Sequence, residues 1–183
     1  MATADVDKSL LQRFYDDVVD WCKEKSWPLR VPVLLFMAYI GARHFLDPAY
    51  WSIFGAINLG IHEGGHLLFR SGGEFICVAG GTVLQLAAPC AAMIVFLKQR
   101  DYFGIAFCFG WLDTNLMSIG VYMSDAEKME LPLVTVGGGD EVIHDWRYLF
   151  TKLGLLSHCT EIGWLTIQLG NLAMAVCLGS WYG

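Results

Sequence analysis

Five nearly uninterrupted apolar stretches, 31–46, 49–69, 75–97, 102–123 and 162–181, constrain this chain more than any other feature. A helix that crosses a bilayer needs about 20 such residues, within a range of about 17–25. The last four stretches reach that length; the first is short and carries Arg43 and His44 near its end, as a tilted or re-entrant segment would. Of 183 residues, 55% are hydrophobic and only 16% charged, whereas a soluble domain carries about 25% charged residues. Mean hydropathy is +0.46. The expectation is all-α: a polytopic membrane helix bundle of about five transmembrane helices, forming one domain over 31–183 with a loop at 124–161.

Residues 1–30 mix acids and bases and do not read as a signal peptide. Leu10, Leu11, Phe14, Val18, Val19, Trp21 and Cys22 recur at helical spacing, which predicts an amphipathic helix over roughly 5–25. Such a helix lies on the membrane surface, packs on the bundle, or forms a solvated tail. With five spans, one side holds Lys8, Arg13, Lys23, Lys25, Arg30, Arg70, Lys128, Arg147 and Lys152; the other holds only Arg43, Lys98 and Arg100. Basic residues favour the cytoplasm, so the N-terminus and the 124–161 loop are expected there. The net charge of −6 and the absence of a Lys/Arg run exclude nucleic acid as a partner and leave membrane lipids. Six cysteines, at 22, 77, 90, 108, 159 and 177, show no C-x-x-C pair and are expected to be reduced.

Inside the second stretch stands His62-Glu63-Gly64-Gly65-His66. The H-E-x-x-H pattern puts two imidazoles on one helix face, close enough to share one Zn²⁺, with Glu63 as general base toward a water. Ionisable groups at membrane depth are costly, and they usually mark function. Polar stripes run along the neighbouring stretches: Asn58, His62, His66; then Thr82, Gln85, Pro89; then Asn115, Ser118, Tyr122, Asp125; then Gln168 and Asn171. Interhelical hydrogen bonding alone accounts for such stripes. The histidines turn the reading toward a shared polar cavity around a metal, with Asn58, Gln85, Asn115 and Tyr122 in its wall.

Catalytic zinc usually takes three protein ligands. His144 is the first candidate for the third, since its loop emerges on the side where the motif helix ends. Asp145 could orient an imidazole from outside the ligand set. Asp125 is the main rival to His144, and Asp113 lies deeper, off the Asn115 stripe. Gly137-Gly138-Gly139-Asp140 precedes His144 and reads as a hinge or a plain linker, because no G-K-[ST] follows.

The H-E-x-G-H form within a span resembles the site-2 protease family of intramembrane zinc metalloproteases. The resemblance implies zinc on His62 and His66, Glu63 as base, and cleavage of a membrane-spanning peptide. It covers the motif helix and, at most, Gly80-Gly81-Thr82; the family's N-x-x-P and D-G segment is absent, with Asn115 and Asp125-Ala126 a loose echo. The wider set, adding Gln85-Leu86, Pro89, Tyr122 and His144-Asp145-Trp146, resembles a group of small bacterial integral membrane proteins. That likeness implies a bacterial inner membrane and makes His144-Asp145 look like part of the site. The leading expectation is a membrane-embedded zinc-dependent hydrolase acting on a peptide bond, with a lipid or other amide as a further substrate class. The rivals are a metal-binding sensor or transport protein without turnover, and a structural membrane module without metal.

Overall fold

The computed structural model describes residues 9–24, 27–132 and 144–180. Those residues form helices and connecting turns, with no strand among them. Seven α-helices follow in order: α1 (Leu10–Glu24), α2 (Val31–Leu46), α3 (Phe54–Leu68), α4 (Glu74–Lys98), α5 (Tyr102–Ser124), α6 (Asp145–Leu153) and α7 (Cys159–Gly179). The helix expected over 5–25 is described from Leu10, its first residues and Lys25 lying outside the described residues. The Gly137–Asp140 segment also lies outside them.

Three helical segments are long and apolar enough to cross a membrane: Glu74–Lys98, Tyr102–Ser124 and Leu156–Gly179. Their outer faces carry Val83, Ile94, Val95, Trp164, Leu165 and Leu172 in the open, the sort of surface that lipid covers. Their length and composition are those of membrane-spanning helices. The stretch at 49–69 differs from expectation, because its helix begins only at Phe54. Asp47 explains the delay: its Oδ1 accepts from Ala49 N at 3.0 Å and its carbonyl from Tyr50 N at 2.9 Å. Asp at the first and Pro at the second position of such a turn is a favoured composition. Pro48 therefore sits in a turn rather than starting a helix. At 15 residues, α3 is about 22 Å long, shorter than a hydrocarbon core of about 30 Å.

α5 is the central helix, with α7 along one side and α4 along another. Glycines set the spacing. A Cβ on Gly120 would lie 2.7 Å from Gly163 O, so α5 and α7 touch backbone to backbone. A Cβ on Gly65 would fall on Gly80 O and lie 2.7 Å from Gly81 Cα, so α3 and α4 do the same. α6 closes one end of the bundle. Its Phe150 is buried with Ile119, Met123, Ala126 and Cys159, and Arg147 Nη1 donates to Glu127 O at 3.1 Å. Gly154, with φ of 70°, ends α6 in the left-handed region that suits glycine.

Candidate metal centre

The close approach of α3 to α4 decides what the two motif histidines can touch. His66 Nδ1 donates to the backbone carbonyl of Cys77 at 2.9 Å, and His62 Nδ1 donates to Gln85 Oε1 at 3.0 Å. The Gln85 amide is oriented by its other end. Its Nε2 donates to Ser118 Oγ at 3.1 Å, while Ser118 Oγ itself donates to Asn115 O at 2.9 Å. Both imidazoles thus carry a proton on Nδ1, and both turn Nε2 the same way.

The two Nε2 atoms converge on one carboxylate oxygen. Asp145 Oδ2 lies 2.9 Å from His62 Nε2 and 3.2 Å from His66 Nε2. Ligand atoms of His62, His66 and Asp145 all lie within 4.8 Å of one another. Burial alone would raise the Asp145 carboxyl; the facing imidazoles outweigh it and hold the group below the usual carboxylate range. Two Nε2 atoms and a carboxylate oxygen this close are held together by positive charge between them, either protons on the rings or a metal ion. Two neutral imidazoles and a carboxylate suit a divalent ion such as Zn²⁺, and the Gln85 and Cys77 contacts are the outer hydrogen bonds that metal-bound histidines ordinarily make. Gly81 keeps the space open: a Cβ there would lie 2.6 Å from His62 Nε2 and 2.7 Å from His66 Nε2.

Asp145 reaches this position because α6 starts there. His144 is its N-cap, with Nδ1 accepting from Arg147 N at 3.2 Å. The His144 ring stacks on Tyr122 with centroids 4.2 Å apart, and Tyr122 Oη accepts from Asp145 N at 3.1 Å. His144 Nε2 points away from the histidine pair toward Asp125 Oδ2, 3.5 Å off. Burial pushes the His144 imidazole below its ordinary value, which keeps it neutral as a helix cap. Asp125 in turn accepts from Glu130 N at 2.9 Å and Leu131 N at 3.1 Å, fixing the chain that leaves α5.

Of the residues singled out in the sequence, His62, His66 and Asp145 meet at one point, while His144 and Asp125 pair beside it. Asp113 is elsewhere: its Oδ2 lies 2.8 Å from His44 Nδ1, and both side chains are buried. Asn58, Gln85 and Tyr122 line a cavity of about 410 Å³ together with Glu63, His62, His66 and Asp145. Asn115 does not line it; its Nδ2 donates to Trp111 O at 2.8 Å inside α5. Glu63 faces the cavity and has no hydrogen-bond partner among the described residues. Cys77 escaped the sequence reading because its contribution is a backbone carbonyl, which leaves no side-chain signal. No family model matches this chain, and no curated protein or solved structure is similar to it.

Proposed function

We propose that this protein is a membrane-embedded, metal-dependent hydrolase whose ion is held by His62, His66 and Asp145. The observation that carries this reading is the convergence of two Nε2 atoms and the Asp145 carboxylate on one point beside Glu63. A Zn²⁺ ion there would polarise a carbonyl and acidify water. Asp145 favours itself over His144 as third ligand, because His144 is spent on capping α6 and facing Asp125.

The chain's own residues supply the remaining chemistry. Glu63, beside the motif histidines and without a hydrogen-bond partner among the described residues, takes a proton from the attacking water and returns it to the leaving nitrogen or oxygen as the carbonyl–heteroatom bond breaks. Tyr122 Oη uses a lone pair on Asp145 N, so its O–H proton is left to donate toward a carbonyl oxygen in the cavity. The resemblance of His62–His66 to site-2 proteases supports hydrolysis, and five spans with a cytoplasmic N-terminus put the site on the cytoplasmic side. That topology counts α2 and α3 as spans shorter than the three long helices.

A carrier or sensor is the second reading, favoured by the length of the cavity, which runs from the α2–α3 connection at Tyr50 to Asp145. Glu63→Gln separates the two. The hydrolase keeps its metal and loses turnover of peptide and acyl-amide substrates by about 10²–10⁴-fold. A Glu63→Gln protein with unchanged turnover would remove the proposed base, and with it the hydrolase reading.

A further inference from the structure

The shape of the cavity says what it can hold. It is walled along α3 from Gly55 to His66, which at 1.5 Å per residue is about 16 Å. A volume of about 410 Å³, open to the centre of a water-sized sphere and spread over that length, gives a mean cross-section of about 25 Å² for the centre; adding about 1.4 Å on each side makes a bore of roughly 8 Å. A helix with side chains is about 10–12 Å across and does not enter. An extended peptide is about 5 Å wide in one direction but needs roughly 10 Å across its side chains. A single polymethylene chain fits.

The chemistry of the wall agrees with the bore. Asn58, midway along, spends Nδ2 on Thr114 Oγ1 at 3.0 Å and Oδ1 on Trp111 Nε1 at 2.8 Å. Gln85 is likewise used at both ends, on His62 and Ser118. A peptide backbone threaded past the middle of the cavity would find both of these side chains already used, a cost wherever water is excluded. An acyl chain asks for neither. Glu63 and Tyr122, with polar capacity to spare, stand at one end, while Trp51 stands exposed at the other beside the Tyr50 and Ser52 hydroxyls.

We propose that the occupant of this cavity is a single-chain acyl amphiphile, a fatty amide or ester, with its carbonyl at the Glu63 end and its chain along α3 toward Trp51. The fate of the carbonyl rests on the hydrolase reading; the occupancy does not. The test is photolabelling of the full-length protein in lipid nanodiscs with a palmitoyl amide that carries a diazirine at the chain end, mapped by mass spectrometry. Labels are expected at Tyr50, Trp51 or Ser52, competed by unlabelled palmitoyl amide. Leu59→Trp, one turn from Glu63, and Val121→Phe across the bore should each cut that labelling by about tenfold or more, since an overfilled cavity admits no chain. Labels confined to the outer-facing Leu67, Trp164 or Leu172 in wild-type protein would overturn the proposal, as would displacement of the cavity label by a helical transmembrane peptide. Because occupancy is read in Glu63→Gln protein as well, cavity labelling without turnover would keep the acyl occupant and remove the hydrolase. Peptide turnover without cavity labelling would do the reverse.

Discussion

Two adjacent glycines in the motif should respond to alanine in opposite directions. A Cβ on Gly64 meets only Leu84 Cδ2, at 3.8 Å, an ordinary contact. Alanine there gains the helix propensity that glycine forgoes, about 0.8–1 kcal/mol. A Cβ on Gly65 would lie 2.7 Å from Gly80 C and from Gly81 Cα, both backbone atoms that cannot rotate aside. Relaxing those contacts, and the closer one with Gly80 O, to about 3.5 Å means moving α3 from α4 by more than about 1 Å, at an overpacking cost of about 1–3 kcal/mol. The same movement stretches the bonds from His62 to Gln85 and from His66 to Cys77 O, each worth about 1 kcal/mol. Propensity offsets part of this, leaving Gly65→Ala destabilised by roughly 2–3 kcal/mol. At about 2–4 °C per kcal/mol, thermal unfolding in detergent should show Tm lower by roughly 4–12 °C for Gly65→Ala and higher by roughly 2–4 °C for Gly64→Ala. Equal shifts in the two variants, or a Gly65→Ala protein as stable as wild type, would refute the backbone-to-backbone packing of α3 on α4.

Other consequences are as specific. Gly81→Ala places its methyl against both Nε2 atoms; it should abolish metal binding while circular dichroism shows the helix content retained. Tyr122→Phe removes the acceptor for Asp145 N, and loss of such an outer contact should weaken metal affinity by about 10–100-fold in a chelator competition. His44→Ala leaves the Asp113 carboxyl buried without its partner, a loss of about 3–5 kcal/mol that His44→Ala combined with Asp113→Leu should largely restore, as read by urea or thermal unfolding.

Helical class and the motif were legible because both are written in side chains. Apolar runs show helices directly, and the spacing of His62 and His66 puts two ligands on one face whatever packs against it. The start of α3 was not legible, since residues 49–53 are as apolar as the helix they precede, and only the turn at Asp47-Pro48 stops them from joining it. Choosing between His144 and Asp145 needed the structure too. Neighbours in sequence point to opposite sides of a helix start, and only the N-cap hydrogen bond to Arg147 N reveals which one turns inward. Asp113 read as a spare ligand because its partner His44 is distant in sequence, and nothing local pairs them. The Cys77 carbonyl and the bore of the cavity are properties of backbone approach between helices, which residue identity hints at only through Gly65, Gly80 and Gly81.

Metal content of the full-length protein, purified in detergent without chelators, tests the central claim most directly. Stoichiometric zinc in wild type, lost in His62→Ala and Asp145→Ala but retained at lower affinity in His144→Ala, is the predicted result. Zinc lost in His144→Ala and kept in Asp145→Ala would contradict the ligand set, and wild-type protein that neither contains nor takes up a divalent ion would contradict the metal centre itself.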